Sequence, residues 1–356
     1  MTRTTWGEIC TLEYGKALRD YVPEQTETSC FRVFGTNGPI GWTAQKLSDE
    51  AGIIVGRKGA YRGIHFSPDP FFVIDTAYYL RPKDTKLDLG WAYYKLLTVD
   101  LDQVDVGAAI PTTNREAFYG LPVSVPEPQV QREVAAVLSA YDELIDNNRR
   151  RMRLLESAAR SLYQEWFVRL RFPGHEHTPV TSGLPRGWKR VPFEDALILQ
   201  RGFDLPESRW EEGDFPICGS TGIIGHHKEP KARGPGVFTG RSGSLGVVNY
   251  VDEDYWPHNT ALWIREFKKV TPLFALFLMR EMNLKQYNGG ASVPTLDRKA
   301  VHRVPVPIPA QIFITLFDEQ VTPMFAQLRN LRLQNQKLRA ARDLLLPRLM
   351  SGEIAA

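Results

Sequence analysis

Four residue groups in the 356-residue chain have types and spacing that could do chemistry. Asp214 with Glu229-Pro230-Lys231 has the acidic-x-Lys spacing of metal-dependent nucleases, where carboxylates hold a divalent cation beside a scissile phosphate. Gly234-Pro-Gly-Val-Phe-Thr-Gly240-Arg241-Ser242 is glycine-rich like a phosphate loop, but its glycine spacing is wrong and arginine replaces the lysine. His175-Glu-His177 and His226-His227 could ligate a metal, although the first group sits in a polar Pro/Gly linker where solvated histidines are usual. No Ser/His/Asp arrangement stands out, and neither Asn-Pro-Pro-Tyr nor Asp-Pro-Pro-Tyr, the motifs of adenine methylation, occurs. The expectation is a chain that performs no chemistry itself and holds no metal.

What stands out is repetition. Gly35-Thr36-Asn37-Gly38 recurs 184 residues later as Gly219-Ser220-Thr221-Gly222. Gly56-Arg57-Lys58-Gly59 recurs at the same shift as Gly240-Arg241-Ser242-Gly243, and Asp75-Thr76-Ala77 as Asn259-Thr260-Ala261. Gly107–Arg115, with its Ile-Pro-Thr-Thr-Asn-Arg end, lies over Gly290–Arg298 at a shift of 183. Chance does not keep a shift constant over such a span, so the chain is an internal duplication. The repeated loops are tight, polar and cationic, and glycine lets backbone N–H groups approach an anion. Arg57, Lys58, Arg62 and Arg241 could neutralise phosphates or read guanine edges. Thr36, Asn37, Tyr61, Ser220, Thr221, Ser242, His258 and Asn259 complete the candidate contacts to bases or backbone. Two plainer readings stand beside this one: the glycines only shape turns, and the Pro-Thr loops with their arginines only lock a domain to its helix.

These loops need a scaffold. About residues 1–125 and 183–308 are rich in Gly, Pro, aromatic and β-branched residues; Gly52–Val55, Phe71–Ile74 and Gly246–Val251 read as strands and Pro272–Arg280 as a helix. Each half then passes prolines (Pro122, Pro126, Pro128; Pro305, Pro307, Pro309) into a heptad pattern. One seam runs through Val134, Leu138, Tyr141, Ile145, Asn148, Met152, Leu155, Ala159, Leu162 and Trp166. The other runs through Phe317, Val321, Met324, Leu328, Leu331, Asn335, Leu338, Arg342, Leu345 and Leu349. Alternating steps of four and three are coiled-coil spacing, and some 40 residues make a rod of roughly 60 Å. A pseudo-two-fold would pair the helices antiparallel, with Asn148 facing Asn335, Trp166 near Phe317 and Val134 near Leu349; two separate arms pairing with other subunits are the alternative. Pro323 should kink or divide the second helix. The fold class is therefore α+β: two α/β domains separated by two long antiparallel coiled-coil helices.

Composition bounds the partners. Hydrophobic residues at 43% and charged residues at 24% describe a globular chain of two or three domains. A net charge of +3, from 44 basic and 41 acidic residues, is too balanced to argue nucleic-acid binding by itself. Three scattered cysteines exclude a disulfide framework and a paired-cysteine zinc site. With no apolar run long enough to span a membrane and no leader-like N-terminus, the expected location is cytoplasmic.

The doubled order of motifs resembles the specificity (S) subunit of type I restriction–modification systems. The carriers are Leu184-Pro-Arg-Gly-Trp188, Gly219–Gly222, Gly289–Leu296 followed by Val304–Pro309, Leu155–Phe167 and Ala341–Ile354. The resemblance covers essentially the whole chain. It implies target recognition domains at 1–126 and 173–309 (the latter with its linker) and coiled-coil helices at 127–172 and 310–356. Leu138, Ile145, Asn148, Leu155, Leu328, Asn335 and Leu338 would pair the helices. It further implies a non-catalytic subunit that reads a split, asymmetric target in double-stranded DNA. Two modification subunits would bring S-adenosylmethionine to methylate adenine N6, and restriction subunits would bring ATP and Mg²⁺. Arg342 departs from an apolar seam and should lie near a domain or a partner subunit. The competing readings are a protein-binding scaffold and a nuclease built on Asp214, Glu229 and Lys231.

Overall fold

Two units make up the chain in the computed structural model, Met1–Asn147 with Gln334–Ala356, and Asn148–Leu333. The structure describes residues 2–59, 62–105, 111–290 and 292–356. Residues of each long helix fall in both units.

Unit one builds a four-stranded antiparallel sheet in the order Cys10–Tyr14, Ala77–Pro82, Gly52–Gly56, Ile64–Ser67. A three-stranded sheet follows the order Gly38–Thr43, Phe31–Gly35, Phe71–Val73, its last pair parallel. Thr2–Thr5 pairs with Pro122–Val125. Unit two repeats this arrangement. Its four strands are Leu197–Arg201, Ala261–Phe267, Gly236–Gly240 and Val248–Val251; its three are Gly222–His227, Phe215–Gly219 and Trp256–Pro257; and Lys189–Pro192 pairs with Pro305–Ile308. Even the bulge recurs, at Val33/Phe34 and at Ile217/Cys218. The duplication read from loop motifs is thus a duplication of sheet topology.

Local sequence explains the helices. Asp88 caps Leu89–Leu96 by accepting from the Trp91 N–H at 2.8 Å, and Thr271 caps Pro272–Glu281. The repeated loop residues Asn114 and Asp297 cap the short helices Arg115–Gly120 and Arg298–His302. This is the side-chain acceptor that orphan helical N–H groups require.

The first long helix runs Pro128–Tyr163 and passes into a π-helical turn, Gln164–Val168, which carries Trp166. The second runs Gln311–Ser351 without interruption. Pro323 does not divide it: the helix absorbs one missing N–H within a ridge whose neighbours Val321 and Phe325 are buried. In unit one the helical segments are antiparallel, since Asn335 donates to the Ile145 carbonyl at 3.2 Å while Arg342 pairs with Asp142. Val134, Leu138 and Leu349 are buried in one core with Trp6, Trp91 and Phe118, and Ile145 is buried as well. In unit two, Phe313 meets Phe172 at 4.5 Å between ring centroids and Phe317 meets Trp166 at 6.4 Å, again antiparallel. Leu328 is buried there, Leu155 half-buried against the same core, and Phe317 also touches Tyr163, Phe167, Phe274 and Phe277. Asn148 and Asn335 are both buried, and Leu338 is half-buried.

Candidate nucleic-acid interface

The Gly-(Thr/Ser)-x-Gly motifs are hairpin tips. Thr36-Asn37 and Ser220-Thr221 are two-residue turns closed by Gly35–Gly38 and Gly219–Gly222 pairs. Gly38 and Gly222 have φ of +109° and +134°, a region that L side chains avoid. Asn37 and Thr221 are consequently exposed, with Thr36 and Ser220 half-buried behind them. Beside the tips lie apolar side chains that sequence reasoning missed: Ile40 in unit one, Ile223 and Ile224 in unit two, all exposed. The strands that carry them, Gly38–Thr43 and Gly222–His227, lie at sheet edges.

The second motif abuts the first. A Cβ on Gly56 would meet the Thr36 carbonyl at 2.8 Å, and one on Gly240 would meet the Ser220 carbonyl at 3.0 Å. Glycine is therefore needed so that the hairpin tip can pack on the turn, in both units alike. The arginine that follows is tied down in both. Arg57 takes the Thr76 carbonyl with its N–H and the Asp75 carbonyl with Nη1 at 3.1 Å; Arg241 takes Thr260 with its N–H and Asn259 with Nε at 2.8 Å. The Pro-Thr loop then closes over the turn. Thr113 N–H donates to the Arg57 carbonyl and Gly59 N–H to Pro111; Leu296 N–H donates to Arg241 and Gly243 N–H to Pro294. These repeated glycines and arginines therefore build the site, while Lys58, Asn37 and Thr221 remain as its exposed polar groups.

Arg62 requires correction as a DNA contact. Its side chain is 1% exposed and is committed to Asp105 at 3.0 Å and to Asp102. Its charge is neutralised inside unit one and cannot reach a phosphate. His258 and Asn259 are likewise engaged within unit two: the imidazole meets Thr260 Oγ1 at 3.0 Å and the Leu205 carbonyl at 3.3 Å, and Asn259 donates to Asp204. With Ile224, Trp210 and Glu207 they line a concavity of about 340 Å³. Ser242 is half-buried and bridges Thr295. Tyr61 and the start of the Gly107–Arg115 loop lie outside the described residues.

The other chemical groups do not assemble. Among the described residues no three His, Cys, Asp or Glu side chains come together as a metal site. Lys231 rests on the Trp256 ring at 5.2 Å, and His175 bonds the Phe172 carbonyl. Burial pushes the Cys10 thiol up to about 12, which leaves it no thiolate at neutral pH. Among the described residues no helix is long and apolar enough to cross a membrane.

Comparison with known proteins agrees with this duplicated architecture. The sequence profile of the type I restriction modification DNA specificity domain matches residues 7–157 and again 185–318. The MjaIX specificity subunit of Methanocaldococcus jannaschii is 24% identical over 305 residues, which span 77% of this chain and 70% of that protein. The EcoprrI specificity subunit of Escherichia coli is 25% identical over 162 residues, 45% of this chain and 40% of that one. The crystal structure of a type I restriction–modification S subunit from M. genitalium shares the fold, with a TM-score of 0.64 at 20% identity over 98% of this chain and 95% of that one. With both halves matched by the family profile, the chain belongs to the type I restriction–modification DNA specificity family.

Proposed function

We propose that this chain is the non-catalytic specificity subunit that reads a bipartite, asymmetric target in double-stranded DNA, one half per α/β domain. The observation carrying this reading is the pair of equivalent hairpins with unlike tips: Thr36-Asn37 in one unit, Ser220-Thr221 in the other. A two-stranded ribbon fits a major groove, where Asn, Ser and Thr can hydrogen-bond base edges and isoleucines can touch thymine methyl groups. Equivalent frames with unequal side chains suit two unequal half-sites. In this reading the chain positions two adenine-N6 methyltransferase subunits, which carry S-adenosylmethionine, and restriction subunits, which use ATP and Mg²⁺. The long helices space the two readers. The test is a four-residue insertion, about one helical turn, into a long helix, followed by mapping of methylated adenines. A changed spacer with unchanged half-site letters supports the proposal; changed letters contradict it. A nuclease reading gains no support, because Lys231 is stacked on Trp256 and the described residues gather no metal site.

A further inference from the structure

The strand end, the Gly-Arg turn and the closing loop converge at one place in each unit, and the two copies are wired differently. In unit one, Tyr14 ends its strand with its side chain largely open, 47% exposed. Two guanidinium groups lie on this single ring, Arg57 at 4.9 Å and Arg115 at 5.2 Å from its centroid. Both are within cation–π range. Lys58 is exposed beside Arg57. Arg115 has Glu116 at 3.9 Å, a carboxylate 79% exposed and at the limit of ion pairing. Arg57 spends one nitrogen on a neutral carbonyl, that of Asp75. Two cations sharing one ring repel each other, and an anion bridging them would relieve that repulsion.

Unit two shows which group meets this need. Gly15 N–H donates to Ala77 and Lys16 N–H to Val73; in the repeat Gly202 N–H donates to Ala261 and Phe203 N–H to Pro257. These matched bonds put Tyr14 in the place of Arg201, and Ala17 in the place of Asp204. Asp204 is the built-in anion of unit two. It accepts from Asn259 and takes Arg201 at 2.9 Å. The Asn259 hydrogen bond, then the charges of Arg201, His258 and Arg241, hold its carboxyl below the usual range. Unit one keeps Arg57 for Arg241 and Arg115 for Arg298, has Tyr14 for Arg201 and Asp75 for Asn259, and offers only the methyl group of Ala17 where the Asp204 carboxylate stands.

We infer that the Tyr14–Arg57–Arg115 cluster of unit one is a seat for a phosphate of the DNA backbone, and that Asp204 fills the equivalent seat of unit two from within. A guanidinium pair stacked on an aromatic ring suits phosphate oxygens, because its planar donors are held in place. The contact positions the duplex and carries no sequence information. This inference rests on the DNA-reading function proposed above.

The experiment uses the full-length chain and measures the affinity for a duplex carrying its target as salt rises. Ala17→Asp supplies an internal carboxylate at an exposed position, and Ala17→Asn is the uncharged control. One lost phosphate contact lowers the slope of log affinity against log salt by about 0.9. The expected result is that slope change in A17D alone, with weaker binding to all sequences and an unaltered methylated target. Asp204→Ala should do the reverse, steepening the slope by a similar amount. Equal slopes for A17D and A17N, or altered target letters in A17D, overturn the phosphate seat and leave the DNA-reading function standing. Failure of the wild-type chain to bind the duplex at any salt overturns both.

Discussion

Arg342 in the second long helix forms an ion pair with Asp142 in the first. Arg342 occupies a seam position where the heptad pattern would place an apolar residue. Its surroundings explain the exception: Asp142 also accepts the Tyr94 hydroxyl at 2.7 Å, so one carboxylate ties both helices to the α/β domain of unit one. Arg342 holds a further carboxylate, Asp343, at 2.8 Å. The sequence expectation that Arg342 lies near a domain is met here by Tyr94.

Asp142→Ala should therefore cost more than an ordinary surface substitution. It leaves a buried-side hydroxyl and a half-buried guanidinium without their shared acceptor, a loss of about 2 kcal/mol. Denaturant unfolding followed by hydrogen exchange should place the loss in Met1–Asn147 and Gln334–Ala356, the residues of unit one. Uniform protection in the variant would show the triad to be idle.

Acid should loosen the first hairpin. His65 packs beneath it, where a Cβ on Gly38 would meet its ring at 3.0 Å. Burial pushes its pKa down, and a hydrogen bond to the Thr36 backbone only partly offsets this. The unfolded chain, with an ordinary histidine near 6.5, then binds the proton more readily than the folded one. Stability is complete above about pH 6.5 and falls as pH drops from there through the lower folded value. Amide exchange in Phe31–Thr43 should accelerate over that window, and His65→Gln should remove the dependence.

Arg62 gives a structural phenotype rather than a reading one. Arg62→Ala takes one partner from the half-buried Asp105, while Asp102, 81% exposed, is solvated without it, at a cost of about 1 to 2 kcal/mol. Lower thermal stability with the methylated sequence intact is expected. A stable variant with a changed half-site would return Arg62 to the interface.

Legibility followed locality. The duplication was readable because its glycines sit where the backbone demands them: Gly38 and Gly222 in hairpin turns, Gly59 and Gly243 also at positive φ. The helical seam was readable because heptad spacing is a local pattern, and Trp166 meets Phe317 as the antiparallel register predicts. The fate of Arg62 was not readable, because its carboxylates lie 40 and 43 residues away in the chain. Nothing beside Pro323 announces that packing would carry a helix through it. The contrast between Ala17 and Asp204 was hidden for a related reason: it falls between the repeated motifs, and only matched backbone bonds align it.

The central claim is that each hairpin tip reads its own half of a split target. The most direct measurement maps methylated adenines genome-wide in cells carrying the wild-type chain or one with Thr36→Ser and Asn37→Thr, the tip of the other unit. The account predicts that one half of the methylated motif changes while the other half and the spacer stay fixed. A motif that is unchanged, or altered in both halves, would contradict it.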